Sequence, residues 1–263
     1  MFRRTGAYVL FVTALHSAAV VHAQTDAAFE VASVKKVTEP GMIYGIRPIE
    51  PSGRFYAIIT AYDLIRIAYG SPLALVEAQI IDAPAWTRND RFEIIAKVTG
   101  ELAHERFLAM MRSLLADRFQ LRLRKETRQL PVFDLVLDRG GQRGPRLRLT
   151  DGTCLTNSKE TGADPWLMCG FRRVTATSIS AVGMRLDDFA SGLSSRREVQ
   201  RVVRNRTGLT ERFDIDVEFM PDPDAPSAAF FTAFREQLGL RFQSATGPLD
   251  AYVIERVEPP TPD

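Results

Sequence analysis

Ser33 and Lys36 have the Ser-x-x-Lys spacing. Enzymes with this motif use the serine as a nucleophile that forms an acyl-enzyme, with the lysine as its partner. That chemistry places the serine at the start of a helix, with the lysine one turn later on the same face. In this chain the run Phe29-Glu-Val-Ala-Ser-Val34 alternates in the manner of a strand. Residues three apart on a strand point to opposite faces, so we interpret the motif as part of a strand.

Two other acid–base candidates stand at spacings that do not fit catalysis. His104 and Glu105 form half of a zinc-protease signature, but no second histidine follows one turn later. A Ser-His-Asp triad would depend on the same histidine. Asp187 and Asp188 are adjacent, and adjacent helical residues diverge by about 100°, so they do not share a face. The sequence therefore predicts no catalytic, cofactor-binding or metal-ligating residue, and no cofactor.

Residues 1–23 have the three-part pattern of a secretory signal peptide. Arg3 and Arg4 precede an uncharged apolar run, and Val21 and Ala23 are suitable residues for a cleavage site. The apolar run, about 14 residues long, is short for a membrane span. We therefore expect an exported chain with no transmembrane anchor after cleavage, located in the periplasm or outside the cell.

The charge balance argues against a nucleic-acid binder. The chain has 34 basic and 32 acidic residues, and loss of Arg3 and Arg4 with the signal peptide leaves 32 of each. Nucleic-acid-binding proteins normally carry a basic excess. The hydrophobic fraction of 45% and the charged fraction of 25% are ordinary for a globular protein, which excludes a collagen, a coiled coil or a low-complexity chain.

Cys154 and Cys169 are the two cysteines of the chain. An even number of cysteines in an exported protein usually indicates disulfide pairing. A metal site needs more ligands than two cysteines. We therefore predict a structural disulfide between Cys154 and Cys169, which contributes roughly 3 kcal/mol by the loop-entropy estimate.

An internal repeat is the most informative pattern in the chain. Asp90-Arg-Phe-Glu-Ile94 matches Glu211-Arg-Phe-Asp-Ile215, since both read acid-Arg-Phe-acid-Ile. Phe119-Gln-Leu-Arg-Leu123 matches Leu238-Gly-Leu-Arg-Phe242 at an offset of 119 residues. Several further positions keep that offset. The matches predict a duplicated unit of about 90 to 115 residues.

Both copies show the same predicted order of elements. In the first copy we expect strands at Arg54–Thr60, Arg91–Val98, Gln120–Arg124 and Leu130–Leu137, with helices at Tyr62–Tyr69 and Arg106–Phe119. In the second copy we expect strands at Val174–Thr177, Arg212–Phe219, Leu240–Gln243 and Leu249–Glu255, with helices at Met184–Leu193 and Ser227–Leu238. A turn separates the last two strands of each copy. This order predicts an α+β fold of two duplicated modules, each with small antiparallel sheet elements packed by two helices.

The predicted domain organisation follows from the repeat. After the signal peptide we expect a first α+β module over 24–138, a connector with the disulfide over 139–171, and a second α+β module over 172–258. The connector is rich in Gly, Arg, Thr and Pro, which is typical of a segment with little core of its own. Residues 259–263 are expected to be a tail.

Seven motifs follow one another along the chain: Phe29-Glu-Val-Ala-Ser-Val-Lys35, Gly53-Arg-Phe-Tyr-Ala57, Ala83-Pro-Ala-Trp86, Asp90-Arg-Phe92, Met111-Arg-Ser-Leu-Leu-Ala-Asp-Arg-Phe119, Glu126-Thr-Arg-Gln-Leu-Pro-Val-Phe133 and Thr207-Gly-Leu-Thr-Glu-Arg-Phe-Asp214. In these motifs the chain resembles the soil-associated protein family, exported bacterial proteins with a domain of unknown function. Asn205-Arg206 and Glu211 depart from the pattern, which has Asp-Lys and glycine there. The resemblance implies no assigned activity.

A looser resemblance concerns the order of elements. A short helix, a strand, a second helix and a final strand pair look like the short N-terminal domains of secretins and TonB-dependent receptors, which dock partner proteins without catalysis. This likeness implies a non-enzymatic binding or sensing module that contacts an envelope protein, a peptide or a cell-wall glycan. Two copies would offer two similar surfaces or one composite groove. The alternative is an exported hydrolase whose acid residues come together only in the fold.

Overall fold

The computed structural model of the protein describes residues 27–39, 41–98, 103–138, 140–152, 154, 168–220 and 225–260. The predicted signal peptide, residues 1–23, lies outside the described residues, as do residues 261–263 of the predicted tail. We refer to residues 27–138 as the first half and to residues 140–260 as the second half.

The described residues form twelve strands: β1 (Ala32–Lys36), β2 (Gly45–Ile46), β3 (Arg54–Thr60), β4 (Ile80–Ile81), β5 (Arg91–Lys97), β6 (Arg122–Leu137), β7 (Leu147–Leu149), β8 (Phe171–Val174), β9 (Ser178–Arg185), β10 (Val202–Asn205), β11 (Arg212–Glu218) and β12 (Leu240–Arg256). They also form five α-helices: α1 (Ala61–Tyr69), α2 (Ala85–Asn89), α3 (His104–Phe119), α4 (Leu186–Leu193) and α5 (Pro226–Ala233). A 3-10 turn spans Glu77–Gln79, and α5 continues as a π-helical segment, Phe234–Leu238. The α+β class predicted from the sequence is confirmed.

The first half builds an antiparallel sheet in the order β1-β5-β3-β2. Phe92, Ile94 and Ala96 alternate along β5 and are buried, because every second side chain of a strand points to the same face. Helix α3 buries Met110 and Met111 in the same core, as the helical period predicts. The Thr60 hydroxyl caps α1 by accepting a hydrogen bond from the Asp63 amide at 3.1 Å.

The second half builds another antiparallel sheet in the order β7-β11-β9-β8. Its core is rich in aromatic side chains: α4 contributes Phe189, and α5 with its π-helical continuation contributes Phe230 and Phe234. The rings of Phe230 and Phe234 lie 4.5 Å apart. The predicted strand Val174–Thr177 is wrong, because β8 ends at Val174 and residues 175–177 form the turn into β9.

A third sheet joins the halves in the order β10-β6-β12-β4. The long strands β6 and β12 pair antiparallel from Leu137 opposite Leu240 to Arg122 opposite Arg256. Each is one continuous strand, so the predicted turn within each final strand pair is wrong. The polar run 125–129 that indicated a turn lies in the middle of β6, where its side chains face solvent. The middle of the β6–β12 pair can carry polar residues on both faces. Its sequence therefore lacks the alternation of apolar and polar residues that marks a half-buried strand.

The long strands exchange their ends between two hydrophobic cores. Strand β6 packs Leu123 against the first core and delivers Phe133 and Leu135 to the second core. Strand β12 starts in the second core at Leu240 and delivers Ile254 to the first core. Each core is therefore completed by a strand that begins in the other one.

The order strand, helix, strand, helix, long strand occurs in both halves, as β3-α1-β5-α3-β6 and as β9-α4-β11-α5-β12. Strand β7, within the segment 139–171 that was expected to be a connector, pairs with β11 at the edge of the second sheet. Common ancestry of the two halves and the limits of the modules stay predictions.

The cysteines lie where the second sheet has an irregular register. The sulfur atoms of Cys154 and Cys169 are 2.03 Å apart, in agreement with the expected pairing. Gly183 of β9 lies against them with a φ of 55°, and a Cβ there would overlap Cys154 Sγ. The Asp214 carboxylate accepts a hydrogen bond from the Gly183 amide at 2.9 Å, beside a register shift between β9 and β11. The glycine therefore makes room for the disulfide.

We expect Gly183→Ala to lower the free energy of unfolding by about 1–3 kcal/mol. The alanine would be strained at the positive φ of this position, and its methyl group would overlap the disulfide. The matched control is Gly152→Ala, since Gly152 also has a positive φ, of 83°, but a Cβ added there would meet nothing within 4 Å. Urea unfolding of both variants measures the difference. Equal losses for the two would contradict the steric role of the disulfide.

Candidate functional site

The structure places the residues with candidate chemistry far from any shared site. Ser33 and Lys36 lie on β1, and Lys36 pairs with Asp90 at 2.7 Å, so the strand interpretation of the Ser-x-x-Lys motif is confirmed. His104 is the exposed first residue of α3. Asp187 lies exposed in the first turn of α4 and accepts a hydrogen bond from the Asn205 side chain at 3.1 Å. None of these groups faces another one across a cavity.

The described residues offer neither a metal site nor a membrane-spanning helix. Over these ranges no group of three or more His, Cys, Asp or Glu side chains is placed so that it could hold a metal ion. No helix in the described part of the chain has the length and apolar character needed to cross a membrane.

The strongest candidate site is a cleft between the two halves, with a cavity volume of about 370 Å³. One wall comes from the first half: the start of α1, the segment that contains the 3-10 turn, and α2. The other wall is the segment Ser194–Gln200, which follows α4 in the second half. We call this cavity the inter-half cleft. Its size is within the range of small-ligand sites.

Salt-linked side chains from α1 line part of the first wall. Asp63 accepts a hydrogen bond from Arg66 Nη1 at 2.9 Å, and Arg66 Nε donates to the Leu75 carbonyl at 2.7 Å. The Tyr44 hydroxyl also donates to the Asp63 carboxylate. Burial of Tyr44 raises the pKa of its hydroxyl, and the hydrogen bond to Asp63 raises this pKa further. These contacts hold Asp63 and Arg66 in fixed positions.

Arg88 of α2 completes the first wall. Its guanidinium lies 3.6 Å from the ring centre of Tyr62 and donates to the Glu77 carboxylate at 2.8 Å. The Tyr62 hydroxyl donates to the backbone carbonyl of Glu77 at 3.3 Å. Burial raises the pKa of the Tyr62 hydroxyl, and the positive charge of Arg88 opposes this shift. The Tyr62 ring and the Glu77 carboxylate therefore hold the Arg88 guanidinium in place at the cleft.

The second wall is built around a buried carboxylate. The Glu198 side chain is 3% exposed and accepts two hydrogen bonds from Arg196, at 3.0 and 3.1 Å. Arg196 also lies 5.6 Å from the ring centre of Phe219. Arg197 contacts the same carboxylate at 3.4 Å, but its side chain is 72% exposed. Glu198 thus holds Arg196 rigidly and Arg197 loosely beside the cleft.

A third arginine lies behind this wall. The guanidinium of Arg172 occupies the space that a side chain at Gly192 of α4 would fill. Burial lowers the pKa of Arg172, and the positive charge of Arg196 lowers it further. No carboxylate of the described residues lies within ion-pair distance of Arg172. Arg196 and Arg197 therefore share the carboxylate of Glu198, whereas Arg172 has no ion-pair partner among the described residues.

A second cavity of about 250 Å³ continues the inter-half cleft and shares Val76 and Ser194 with it. Residues 72–75, with Tyr69 and Tyr252, give it a more apolar lining. The rings of Tyr69 and Tyr252 lie 5.5 Å apart. The combined site therefore has a charged part and an apolar part.

The chemistry that this cleft supports is recognition by charge and hydrogen bonding. The hydroxyls nearest to it are already engaged: Ser194 accepts from the Val203 amide at 2.9 Å, and Ser195 donates to the Gly192 carbonyl at 3.4 Å. Among the described residues, no histidine or cysteine lines the cleft. The carboxylates of Asp63 and Glu77 are each paired with an arginine.

Sequence reasoning missed the arginines of this site. The run Ser194-Ser-Arg-Arg-Glu-Val-Gln-Arg201 concentrates three arginines and one acid in eight residues, which was an available signal. Its partners Asp63, Glu77 and Arg88 lie more than a hundred residues earlier in the chain. The sequence alone could therefore indicate the arginines of the second wall, but not the first-half residues that face them.

Comparison with known proteins gives one match. A family model described as a protein of unknown function (DUF3738) matches residues 62–257, which is most of the chain. No curated protein and no solved structure matches it. The prediction of an uncharacterised family is confirmed, whereas the association with soil and the likeness to secretin and TonB-dependent receptor domains stay predictions.

Proposed function

We propose a function for this chain on the basis of the cleft between its two halves. The chain belongs to the DUF3738 family of proteins of unknown function. The protein is a non-enzymatic binding or sensing protein that holds part of an envelope protein, peptide or cell-wall partner in the inter-half cleft. The observation that carries this proposal is a cavity whose opposite walls come from different halves. The composite groove expected from two related modules has this form.

The side chains of the cleft support recognition because they are held in place before any ligand arrives. Arg66, Arg88 and Arg196 are each fixed by a carboxylate and by a second contact: a backbone carbonyl, a stacked ring or a nearby aromatic ring. Groups that are already ordered lose little conformational entropy on binding. Export of the chain is part of the proposal, and the Cys154–Cys169 disulfide supports an oxidising location.

The alternative of an exported hydrolase has less support. A glycosidase-type or acid-protease-type site needs one carboxyl group that can give up or take a proton beside the substrate. Asp63 and Glu77, which line the cleft, each form an ion pair with an arginine instead.

A capture experiment with a blocked cleft tests the proposal. Immobilised residues 24–263 would be incubated with the envelope fraction of the producing cell, beside the variant Ser195→Trp, which fills the cleft from an exposed position. Ser244→Trp is the matched control, because Ser244 is an exposed serine on β12 outside the cleft. We expect a partner, identified by mass spectrometry, that Ser195→Trp loses and Ser244→Trp retains.

Two results would overturn the proposal. Capture by Ser195→Trp at the wild-type level would exclude the cleft as the binding site. Absence of any captured protein, peptide or glycan would contradict the binding role itself.

A further inference from the structure

We infer that the inter-half cleft selects an acidic peptide, whose carboxylate binds at the second wall beside Arg196 and Arg197. This inference rests on the proposed function, since it names the ligand class of the same cleft. It starts from the distribution of charge over the two walls.

The two walls differ in their charge balance. On the first wall Asp63 neutralises Arg66, and Glu77 neutralises Arg88. On the second wall Arg196 and Arg197 share the single carboxylate of Glu198. Arg172 lies behind this wall, against Gly192, and has no ion-pair partner, so the three arginines leave two positive charges in excess among the described residues. An anionic ligand removes this excess, whereas a cationic ligand would increase it.

The second wall also has donors left for an anion. Arg196 uses Nε and Nη2 for Glu198, and its Nη1 has no acceptor among the described residues. Arg197 is exposed, and its 3.4 Å contact with Glu198 is long, so its guanidinium can turn towards the cleft at low cost. Two guanidinium groups side by side match the two oxygens of a carboxylate.

The rest of the cleft favours a peptide over a free anion. The Glu77 side chain on the first wall is 65% exposed and can accept hydrogen bonds from the N–H groups of a ligand. The adjoining cavity, lined by residues 72–75 and Tyr252, offers space for an apolar side chain. A short peptide uses all three features together: the carboxylate, the N–H donors and an apolar side chain. Inorganic phosphate uses only the first.

Calorimetric titration with matched peptides tests the inference. The probe is acetyl-Leu-Asp-Glu with a free terminal carboxylate, and its neutral counterpart is acetyl-Leu-Asn-Gln amide. With residues 24–263 we expect the acidic peptide to bind about tenfold or more tightly than the neutral one. Arg197→Gln should remove most of this preference, because it takes away one guanidinium at an exposed position. Arg235→Gln is the matched control, since Arg235 is exposed and lies outside the cleft.

The outcomes separate the two proposals. Equal affinity for the acidic and neutral peptides would overturn the anion preference and leave the cleft as a binding site. Inorganic phosphate that binds as tightly as the acidic peptide would overturn the peptide assignment. No binding of either peptide, together with an envelope partner that Ser195→Trp loses, would overturn the ligand class alone. Failure of both experiments would overturn the proposed function as well.

Discussion

Residues 24–138 and 139–263, produced as two separate chains, are expected to remain unfolded. The first chain would expose Phe133 and Leu135, which the intact protein buries in the second core. It would also lose Ile254, which closes the first core. Burial of each such side chain is worth about 1.5–3 kcal/mol, and a domain is stable by only about 5–15 kcal/mol in total. A half that loses its partner strand therefore loses a large part of its stability.

Far-UV circular dichroism and amide NMR spectra of the separate chains measure this result. We expect disordered spectra for each chain and recovery of the native spectrum when equal amounts are mixed, because β6 and β12 pair along nearly their whole length. The matched control is the full chain cleaved after folding at a protease site inserted between Cys154 and Cys169, where the disulfide keeps the pieces linked. A well-dispersed spectrum from either half alone would contradict the exchange of strands between the cores.

The sequence predicted the elements whose pattern is local. The buried face of α3 follows from the spacing of Met110, Met111, Leu114 and Leu115, and the predicted start at Arg106 was two residues late. Strand β5 follows from the alternation of Phe92, Ile94 and Ala96. Both patterns arise because one face of an element packs on a core and the other does not.

The long strands were missed because their middles pack on no core. Lys125 and Asp250 pair across the ribbon at 2.8 Å, and such polar, exposed residues have the composition of a turn. Pro131 and Pro248 also lie within the paired strands, although proline is rare inside sheets. Only the pairing of two segments more than a hundred residues apart shows that each is one strand.

The candidate site could be predicted still less. The last acid of the repeated acid-Arg-Phe-acid motif accepts a hydrogen bond from a hydroxyl in both halves: Glu93 from Tyr56 at 2.9 Å, and Asp214 from Thr150 at 2.9 Å. The cleft depends on contacts between distant segments, such as Ser194–Gln200 facing α1 and α2. The patterns in a single sequence indicate which residues are buried and whether a segment is a helix or a strand. They do not indicate which distant charged segments come into contact.

Arg196→Ala is expected to lower the free energy of unfolding by about 3–5 kcal/mol, because it leaves the buried Glu198 carboxylate without its principal partner. The two hydrogen bonds from Arg196 satisfy both oxygens of a side chain that is 3% exposed. Arg197, with its single contact at 3.4 Å, cannot replace them. Urea unfolding monitored by tryptophan fluorescence measures the loss.

Arg197→Ala is the matched control, because it removes the same kind of side chain from the same carboxylate at an exposed position, where ion pairs are worth about 0–1 kcal/mol. Arg196→Ala combined with Glu198→Leu should recover much of the loss, since no buried charge then remains unpaired. Equal losses for Arg196→Ala and Arg197→Ala would show that Glu198 does not depend on Arg196. The second wall of the cleft would then lack the rigid anchor on which its recognition of an anion rests.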